Sequence, residues 1–344
     1  MENILKVEQR IVPELIELLE KRHDILRTIC YNQPIGRRIL SNQMCISERI
    51  VRNEINFLKS QNLIEVNALG MFITADGEEI IQQLKEFIHE IKGLSKIERS
   101  IENHLNLKQV IVVPGNVEVD KSVLKELGKA AASYAMDIIK DNSIIALTGG
   151  STVKEVVDSF PKNNKYKNIL VLPARGGMAR NVEIQANTLV ARLADKIGGN
   201  YELLHLPDNL SNAALETILN EKDIKSIIDK IRSAEILIYG IGIASDMAMK
   251  RGLPEKEINE LEELGAVGEA FGQYYNELGE IIYSTPTIMV KSEDVENEKI
   301  LIAVAGGKNK ARAIIATEIN RSSTVLIIDE AAAESIINIL KKTE

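Results

Sequence analysis

The sequence predicts an α/β protein in which an N-terminal winged helix-turn-helix precedes a doubly wound, mostly parallel α/β domain. Two observations lead to this prediction. Helical patterns followed by two short strands occupy residues 1–75, and from residue 107 apolar runs of strand length alternate with helical patterns. With 344 residues the chain is long enough for two domains. We therefore predict a winged domain over 1–75, a helical linker over 76–106 and an α/β domain over 107–344.

Composition excludes several classes of protein. The hydrophobic fraction of 45% and the charged fraction of 27% are typical of a globular protein in water. No apolar run approaches the roughly 18–20 residues that cross a bilayer, and the N-terminus lacks the basic start and apolar block of a signal peptide. We expect a cytoplasmic protein with no membrane partner. Cys30 and Cys45 have no zinc-like spacing, so we predict no metal site and two buried free thiols.

The N-terminal elements follow the order of a winged helix-turn-helix. Pro13 is tolerable only near a helix start or at a kink, and Ser47 is a plausible N-cap for the longest helix. Asp76-Gly77 is expected to close the unit. The predicted elements are helices over residues 4–19, 22–32 and 36–42, a longer helix from Ser47, and strands over 63–66 and 71–74.

Local charge favours DNA binding by this unit. The net charge of −8 argues against indiscriminate binding to nucleic acid, but residues 35–62 carry five basic residues against two acidic ones. In this motif the longer helix enters the major groove, where arginine can pair with guanine. A winged module that contacts proteins is the alternative. The predicted base-reading residues are Ser47, Glu48, Arg49, Arg52 and Asn53, and the predicted phosphate contacts are Arg37, Arg38 and Lys59.

The region between the two domains reads as one long helix or a broken pair. Apolar residues recur at helical spacing from Ile80 to Ile97. The spacing suits a connector that also packs against a partner subunit, so we predict a homo-oligomer, either a dimer or a tetramer.

From residue 107 the alternation of strands and helices predicts a doubly wound parallel sheet with helices on both faces. The predicted strands cover residues 110–113, 144–147, 169–172, 203–206, 236–241, 300–304 and 325–328, and the predicted helices cover 122–139, 153–160, 187–197, 211–231, 308–320 and 331–340.

Ligands of such sheets bind beyond the carboxyl ends of the strands, and four of these ends carry glycines. They are residues 148–152, 173–177, 240–242 and 305–310, and the last three have arginine or lysine nearby. Glycines, bases and helix starts together suit a phosphate, although ordinary strand-to-helix turns also need glycine and a hydroxyl cap. The motifs of ATPases and dinucleotide-binding proteins are absent.

Three polar residues are candidates for contacting sugar hydroxyls. Glu269 follows a glycine in a segment predicted as a loop, where it could equally face solvent. Gln185 and Asn187 follow the arginine-bearing strand end and could do similar work.

Eight short stretches, spread over nearly the whole chain, occur together and in order. With them the chain resembles the SorC-type sugar-responsive bacterial transcription factors. The stretches are residues 34–38, 46–49, 57–63, 145–150, 173–177, 185–188, 269–272 and 303–307.

The resemblance implies a repressor of a glycolytic operon that binds operator DNA. Its α/β domain is then an effector-binding and oligomerisation domain similar to sugar-phosphate isomerases and deaminases, with fructose-1,6-bisphosphate as the effector and no other cofactor. The implied phosphate contacts are Gly149, Gly150, Ser151, Thr152, Arg175 and Lys310, with Gln185 and Glu269 at the sugar and Lys250, next to Arg251, where the family offers a second arginine.

Two alternatives stay open at this point. The α/β domain could be a sugar-phosphate isomerase or deaminase, but no carboxylate–histidine cluster stands out at the strand ends and a DNA-binding unit on the same chain favours sensing. A sensor of a different phosphorylated sugar is the second alternative.

Overall fold

A computed structural model describes residues 11–163, 165–177, 181–206, 212–285 and 299–343. The chain forms two compact units, one of residues up to 97 together with 114–123 and one of residues 98–113 together with 124 onward. The predicted linker over 76–106 is thus divided between the two units. Among the described residues, no helix has both the length and the apolar character needed to cross a membrane.

The first unit is a winged helix-turn-helix, as predicted. Its strands pair antiparallel, with Ile64 opposite Ile73. Aliphatic side chains from the helices and the hairpin, among them Ile25, Leu40 and Ile55, form its core. The elements are α1 (Pro13–Asn32), α2 (Arg37–Met44), α3 (Glu48–Ser60), β1 (Ile64–Asn67), β2 (Gly70–Ile73) and α4 (Ala75–Ile91).

Three local predictions in this unit need correction. The helices predicted over 4–19 and 22–32 are one helix from Pro13, because proline is accommodated in the first turn and no glycine or proline follows before Pro34; residues 4–10 lie outside the described ranges. Asp76-Gly77 does not end the unit but lies in the first turn of α4, where Thr74 Oγ1 accepts the Gly77 N–H at 3.0 Å. Neither cysteine forms a disulfide, but the prediction of two buried thiols is wrong: Cys30 is only half-buried, and Cys45, at the left-handed C-cap of α2, is exposed.

Of the two alternatives for the connector, one long helix or a broken pair, the structure has the broken pair. Helix α4 ends at Ile91, and α5 (Leu94–Leu105) begins after Gly93, whose φ of +63° suits glycine. In the second unit the carboxylates of Glu98 and Glu102 on α5 accept the N–H groups of Val112 and Val110 at 2.7 and 2.8 Å.

The second unit is built on a seven-stranded, wholly parallel sheet, which confirms the doubly wound α/β prediction. Its strands are β3 (Gln109–Val113), β4 (Ile144–Leu147), β5 (Leu170–Pro173), β6 (Asn200–Tyr201), β7 (Ile236–Gly240), β12 (Ile300–Val304) and β13 (Thr324–Asp329). They lie in the order β3-β13-β12-β7-β4-β5-β6. The helices around the sheet are α6 (Ser122–Ile138), α7 (Ser151–Ser159), α8 (Ala186–Ile197), α9 (Asn212–Leu219), α10 (Lys222–Arg232), α11 (Ala244–Arg251), α12 (Glu255–Glu263), α13 (Ala311–Glu318) and α14 (Glu330–Thr343).

A second, four-stranded antiparallel sheet was not predicted. Its strands are β8 (Gly242–Ile243), β9 (Gly268–Ala270), β10 (Gln273–Tyr275) and β11 (Ile281–Ser284). They lie in the order β11-β10-β9-β8 and are two to four residues long, too short to show an alternating pattern.

The strand predicted over 203–206 is wrong. The strand next to β5 is β6, which lies just before this run. The Asn187 side chain bonds both the N–H and the C=O of Leu204, at 3.2 and 3.0 Å, so this backbone does not continue a ladder. Leu204 packs instead against Ile228 of α10.

Two predicted helices are interrupted. The one over 211–231 divides into α9 and α10 at residues 220–221, and Ser211 lies outside the described residues. The one over 308–320 begins with a 3-10 turn, Lys308–Lys310, before α13.

We predict that Gly128→Val destabilises the second unit by about 3 kcal/mol, the upper end of overpacking costs. A Cβ at Gly128 on α6 would lie 2.5 Å from the backbone oxygen of Glu155 on α7, and backbone atoms cannot give way as a flexible side chain can. Urea unfolding measures the effect. Ser133→Val is the matched control because Ser133 is exposed on the same helix; an equal loss in both variants would contradict the packing argument.

Candidate functional site

The exposed face of α3 carries the predicted base-reading residues. Helix α3 begins after Ser47, whose Oγ accepts the Ile50 N–H at 3.4 Å, which confirms the N-cap. Its buried face consists of Val51, Glu54, Ile55 and Leu58. All eight residues predicted to contact DNA are exposed, namely Arg37, Arg38, Ser47, Glu48, Arg49, Arg52, Asn53 and Lys59.

Burial of Glu54 makes this face more basic than the sequence count suggested. Of the two acidic residues in 35–62, only Glu48 is exposed. The hairpin over 64–73 contributes no lysine or arginine and one acid, Glu65. Within residues 35–73, cationic contacts to phosphate would therefore come from the helices, where Arg37, Arg38 and Lys59 lie.

A cavity of about 480 Å³ lies at the carboxyl ends of the central strands in the second unit. Each of the four glycine-bearing strand ends contributes to its wall. Of the ten residues predicted to contact the effector, all except Arg251 line it: Gly149, Gly150, Ser151, Thr152, Arg175, Gln185, Lys250, Glu269 and Lys310.

The glycines after β4 have structural roles of their own. A Cβ at Gly149 would lie 2.6 Å from the oxygen of Ile184, so glycine lets these two segments touch. Gly150 has a φ of +123° and donates its N–H to the same oxygen at 2.8 Å. Helix α7 then begins at Ser151 and directs its first-turn N–H groups and dipole toward the cavity, a geometry that suits an anion.

The part of the wall that follows β7 and β12 carries the lysines Lys250 and Lys310. Lys310 Nζ donates to the Ile241 oxygen at 2.9 Å. Burial lowers the pKa of Lys310, and the charge of Lys250 lowers it further, whereas Asp329 and Asp246 raise it. An anion in the cavity would stabilise the charged form of Lys310.

Glu269 is buried in β9 and does not lie in the predicted loop. It is 3% exposed, and its Oε1 accepts the Gly272 N–H at 2.5 Å and Arg251 Nη2 at 2.7 Å, with Arg175 Nη1 at 3.9 Å. The Arg251 side chain lies behind this carboxylate and is 2% exposed. We therefore reassign Arg251 from a direct effector contact to a residue that orients Glu269, while Lys250 faces the cavity.

Asn187 does not line the cavity either. Its amide is engaged with the backbone of Leu204, so we correct its candidate role at the sugar to a structural one.

Phe271 is a cavity residue that sequence reasoning missed. It lies in the turn between β9 and β10 with a φ of +56°, a conformation that costs a bulky residue about 1–3 kcal/mol. Its ring centroid is 4.2 Å from that of buried Tyr239, whose hydroxyl donates to Glu318 Oε2 at 2.7 Å. Phe-Gly is not a usual turn sequence, so no local pattern could have indicated this role.

Asp246, Asn181 and Met247 also line the cavity and were not among the predicted effector contacts. Asp246 lies in the first turn of α11, one turn before Lys250, so the two residues are neighbours on one side of the helix.

Both halves of the chain match known families. Residues 18–88 match the family described as "CggR N-terminal DNA binding domain", and residues 89–338 match the family described as "Putative sugar-binding domain". The chain is 37% identical over 338 residues to the central glycolytic genes regulator of Priestia megaterium, covering 98% of this chain and 99% of that protein. It is 36% identical over 337 residues to the protein of the same name from Bacillus subtilis, with the same coverage.

A solved structure supports the same assignment. A protein described as a putative SorC family transcriptional regulator from Enterococcus faecalis has a TM-score of 0.66 and 33% identity to this chain, covering 70% of this chain and 99% of that one. A DNA-binding domain followed by a sugar-binding domain is the organisation of a regulator and not of an enzyme, which removes the isomerase and deaminase alternative. The chain belongs to the family of central glycolytic genes regulators, which are SorC-type transcriptional regulators.

Proposed function

We propose that this chain is a cytoplasmic, homo-oligomeric repressor of glycolytic genes that fructose-1,6-bisphosphate releases from its operator. The observation that carries the proposal is the cavity, which combines a helix start with Arg175, Lys250 and Lys310. Each phosphate of a sugar brings about −1.5 to −2 charges at neutral pH. Arg251 pairs with the Glu269 carboxylate, so among the described residues that line the cavity Asp246 alone stands against the three cations and the helix start, a balance that fits two phosphates better than one.

The sugar between the phosphates would meet Gln185 and Glu269. The ion pair with Arg251 and the Gly272 N–H orient the Glu269 carboxylate, and a fixed acceptor selects hydroxyl positions better than a mobile one. Release of DNA requires that the effector bind the weak DNA-binding state more tightly than the strong one. We propose that it changes the geometry between subunits, so that two winged domains no longer match the spacing of operator half-sites.

A sensor of a different phosphorylated sugar is the second candidate. Lys250 stands where the family offers a second arginine, and lysine keeps the charge but lacks the planar fork that binds phosphate in a bidentate manner. A weaker second phosphate contact would favour a sugar with one phosphate.

We expect fructose-1,6-bisphosphate to weaken DNA binding by the full-length protein, and fructose-6-phosphate to do so much less. The probe is a duplex that the protein itself selects from a randomised library, titrated at fixed salt. Lys310→Met is the control, because it should bind the duplex but lose about 1.5–3 kcal/mol of effector affinity with one charged hydrogen bond. An equal response to the monophosphate would favour the second candidate, and no response to either sugar would reject both while leaving DNA binding intact.

Arg49→Ala and Arg52→Ala should each lower affinity for the selected duplex by about 1–3 kcal/mol, the value of a bidentate base contact. Affinity for a scrambled duplex of the same composition should change much less. Lys59→Ala is the comparison. Loss of a phosphate contact should weaken binding to both duplexes equally and reduce the slope of log affinity against log salt concentration by about one. Unaltered selectivity in both arginine variants would remove α3 as the recognition helix.

Effector binding should weaken as pH rises from neutrality toward the pKa of free lysine, about 10.4. The pKa of Lys310 lies below its ordinary value before the effector binds, so its cation is lost at a lower pH than that of a free lysine, and its contribution to binding falls as pH rises through this lowered pKa. Calorimetric titration with fructose-1,6-bisphosphate measures the effect. Lys310→Arg should bind without this alkaline decline; a decline of the same size in that variant would assign it to another group.

A further inference from the structure

We propose that Glu54, held by Lys21 and Arg22, is a positioning residue that fixes the rotation of α3 and so the aim of its base-reading side chains. The proposal rests on α3 being the recognition helix. No DNA atom needs to touch Glu54, since it acts through the helix that carries it.

The burial of Glu54 is the first observation. It is 8% exposed and shares the inward face of α3 with Val51, Ile55 and Leu58. A carboxylate on an apolar face is costly unless cations or hydrogen-bond donors satisfy it. Its presence there therefore requires partners from another element.

Those partners come from two consecutive residues of α1. Lys21 Nζ lies 2.9 Å from Glu54 Oε1, and Arg22 Nε donates to Oε2 at 2.9 Å. Burial by itself would raise the pKa of Glu54, but the hydrogen bonds from Arg22 and Lys21 hold it below its ordinary value. Each carboxylate oxygen thus has its own cation, which fixes the plane of the carboxylate as well as its position.

A second contact lies one turn further along α3. The Arg22 guanidinium stacks on the Phe57 ring, 3.6 Å from its centroid. Glu54 and Phe57 are three residues apart, so α1 holds the same side of α3 at two successive turns. Two contacts along one edge resist rotation about the helix axis as well as sliding along it.

Rotation matters because the two base-reading arginines lie on the far side of the helix. At about 100° per residue, Arg52 is displaced by about 200° from Glu54 and Arg49 by about 140°. A rotation of about 10° moves a point about 6 Å from the axis by about 1 Å, enough to spoil a bidentate hydrogen bond. Contacts that fix the side of α3 facing α1 therefore also fix the positions of Arg49 and Arg52.

Stability alone does not explain this arrangement. Replacing a buried ion pair by a well-packed apolar residue is often neutral or stabilising, whereas the positions of neighbouring groups depend on its geometry. The competing explanation is that Lys21 or Arg22 contacts DNA phosphate directly. The two explanations differ in their salt dependence, because only a phosphate contact releases a counterion.

The test compares full-length Glu54→Leu with wild type on the library-selected duplex and on a scrambled duplex. We expect the ratio of the two affinities to fall about tenfold, while the salt slope on the scrambled duplex stays unchanged and urea unfolding shows that the variant is still folded under the binding conditions. Glu79→Leu is the matched control, a carboxylate on α4 that bonds Gln83 on the exposed surface of the same unit and should leave the ratio unaltered. An unaltered ratio in Glu54→Leu would overturn the proposal.

Arg22→Met keeps the test decisive if Glu54→Leu unfolds. Methionine preserves packing on Phe57 but removes the bond to Glu54, so the ratio should fall with an unchanged salt slope. Equal weakening on both duplexes with a slope smaller by about one would instead show that Arg22 contacts phosphate, and the proposal would fail. Arg49→Ala distinguishes failure of this proposal from failure of the recognition-helix assignment. If Arg49→Ala lowers the affinity ratio and Glu54→Leu does not, α3 reads the DNA but Glu54 does not position it. If neither variant lowers the ratio, α3 is not the recognition helix.

Discussion

The parallel pairing of β12, β7, β4 and β5 is the constraint on which the sugar-binding unit depends. Because every pair in this run is parallel, the four strands end at one edge of the sheet, and residues that are far apart in the sequence line one cavity there. Lys310 and Gly149 belong to different strand ends, yet both reach it. Removing the parallel register would scatter these groups, whatever their individual chemistry.

Packing and ligand chemistry make compatible demands at this edge. Gly149 is required because the oxygen of Ile184 lies against it, and Gly150 because its backbone is left-handed. Neither requirement involves a ligand. The same absence of side chains leaves the start of α7 accessible to an anion, so the ordinary turn and the anion site are one structure and not two competing explanations.

The sequence predicts those features that repeat along the chain or occur at a fixed local offset. The seven-stranded sheet, the hairpin and the Ser47 cap belong to this group, since each has a periodic or positional pattern. The run over 203–206 looked like a strand because its composition is right, but the Asn187 side chain occupies the backbone of Leu204. The strained turn at Phe271 has no local pattern at all, because only the fold brings Tyr239 against it.

Buried carboxylates were the least predictable part of both sites, for one physical reason. Glu54 appeared to be a surface charge and Glu269 a loop residue, yet both are buried and held by cations that lie 32 and 18 residues away. From sequence alone a glutamate is predicted to be exposed, because its burial is tolerated only where a cation or hydrogen-bond donor from another part of the chain contacts it. The two acids differ in their proposed roles: Glu54 would orient the helix that reads DNA, whereas Glu269 faces the cavity and is itself oriented by Arg251. In sites of this kind, the residues that face the ligand can therefore be predicted from sequence. The residues that orient them can be identified only from the folded structure.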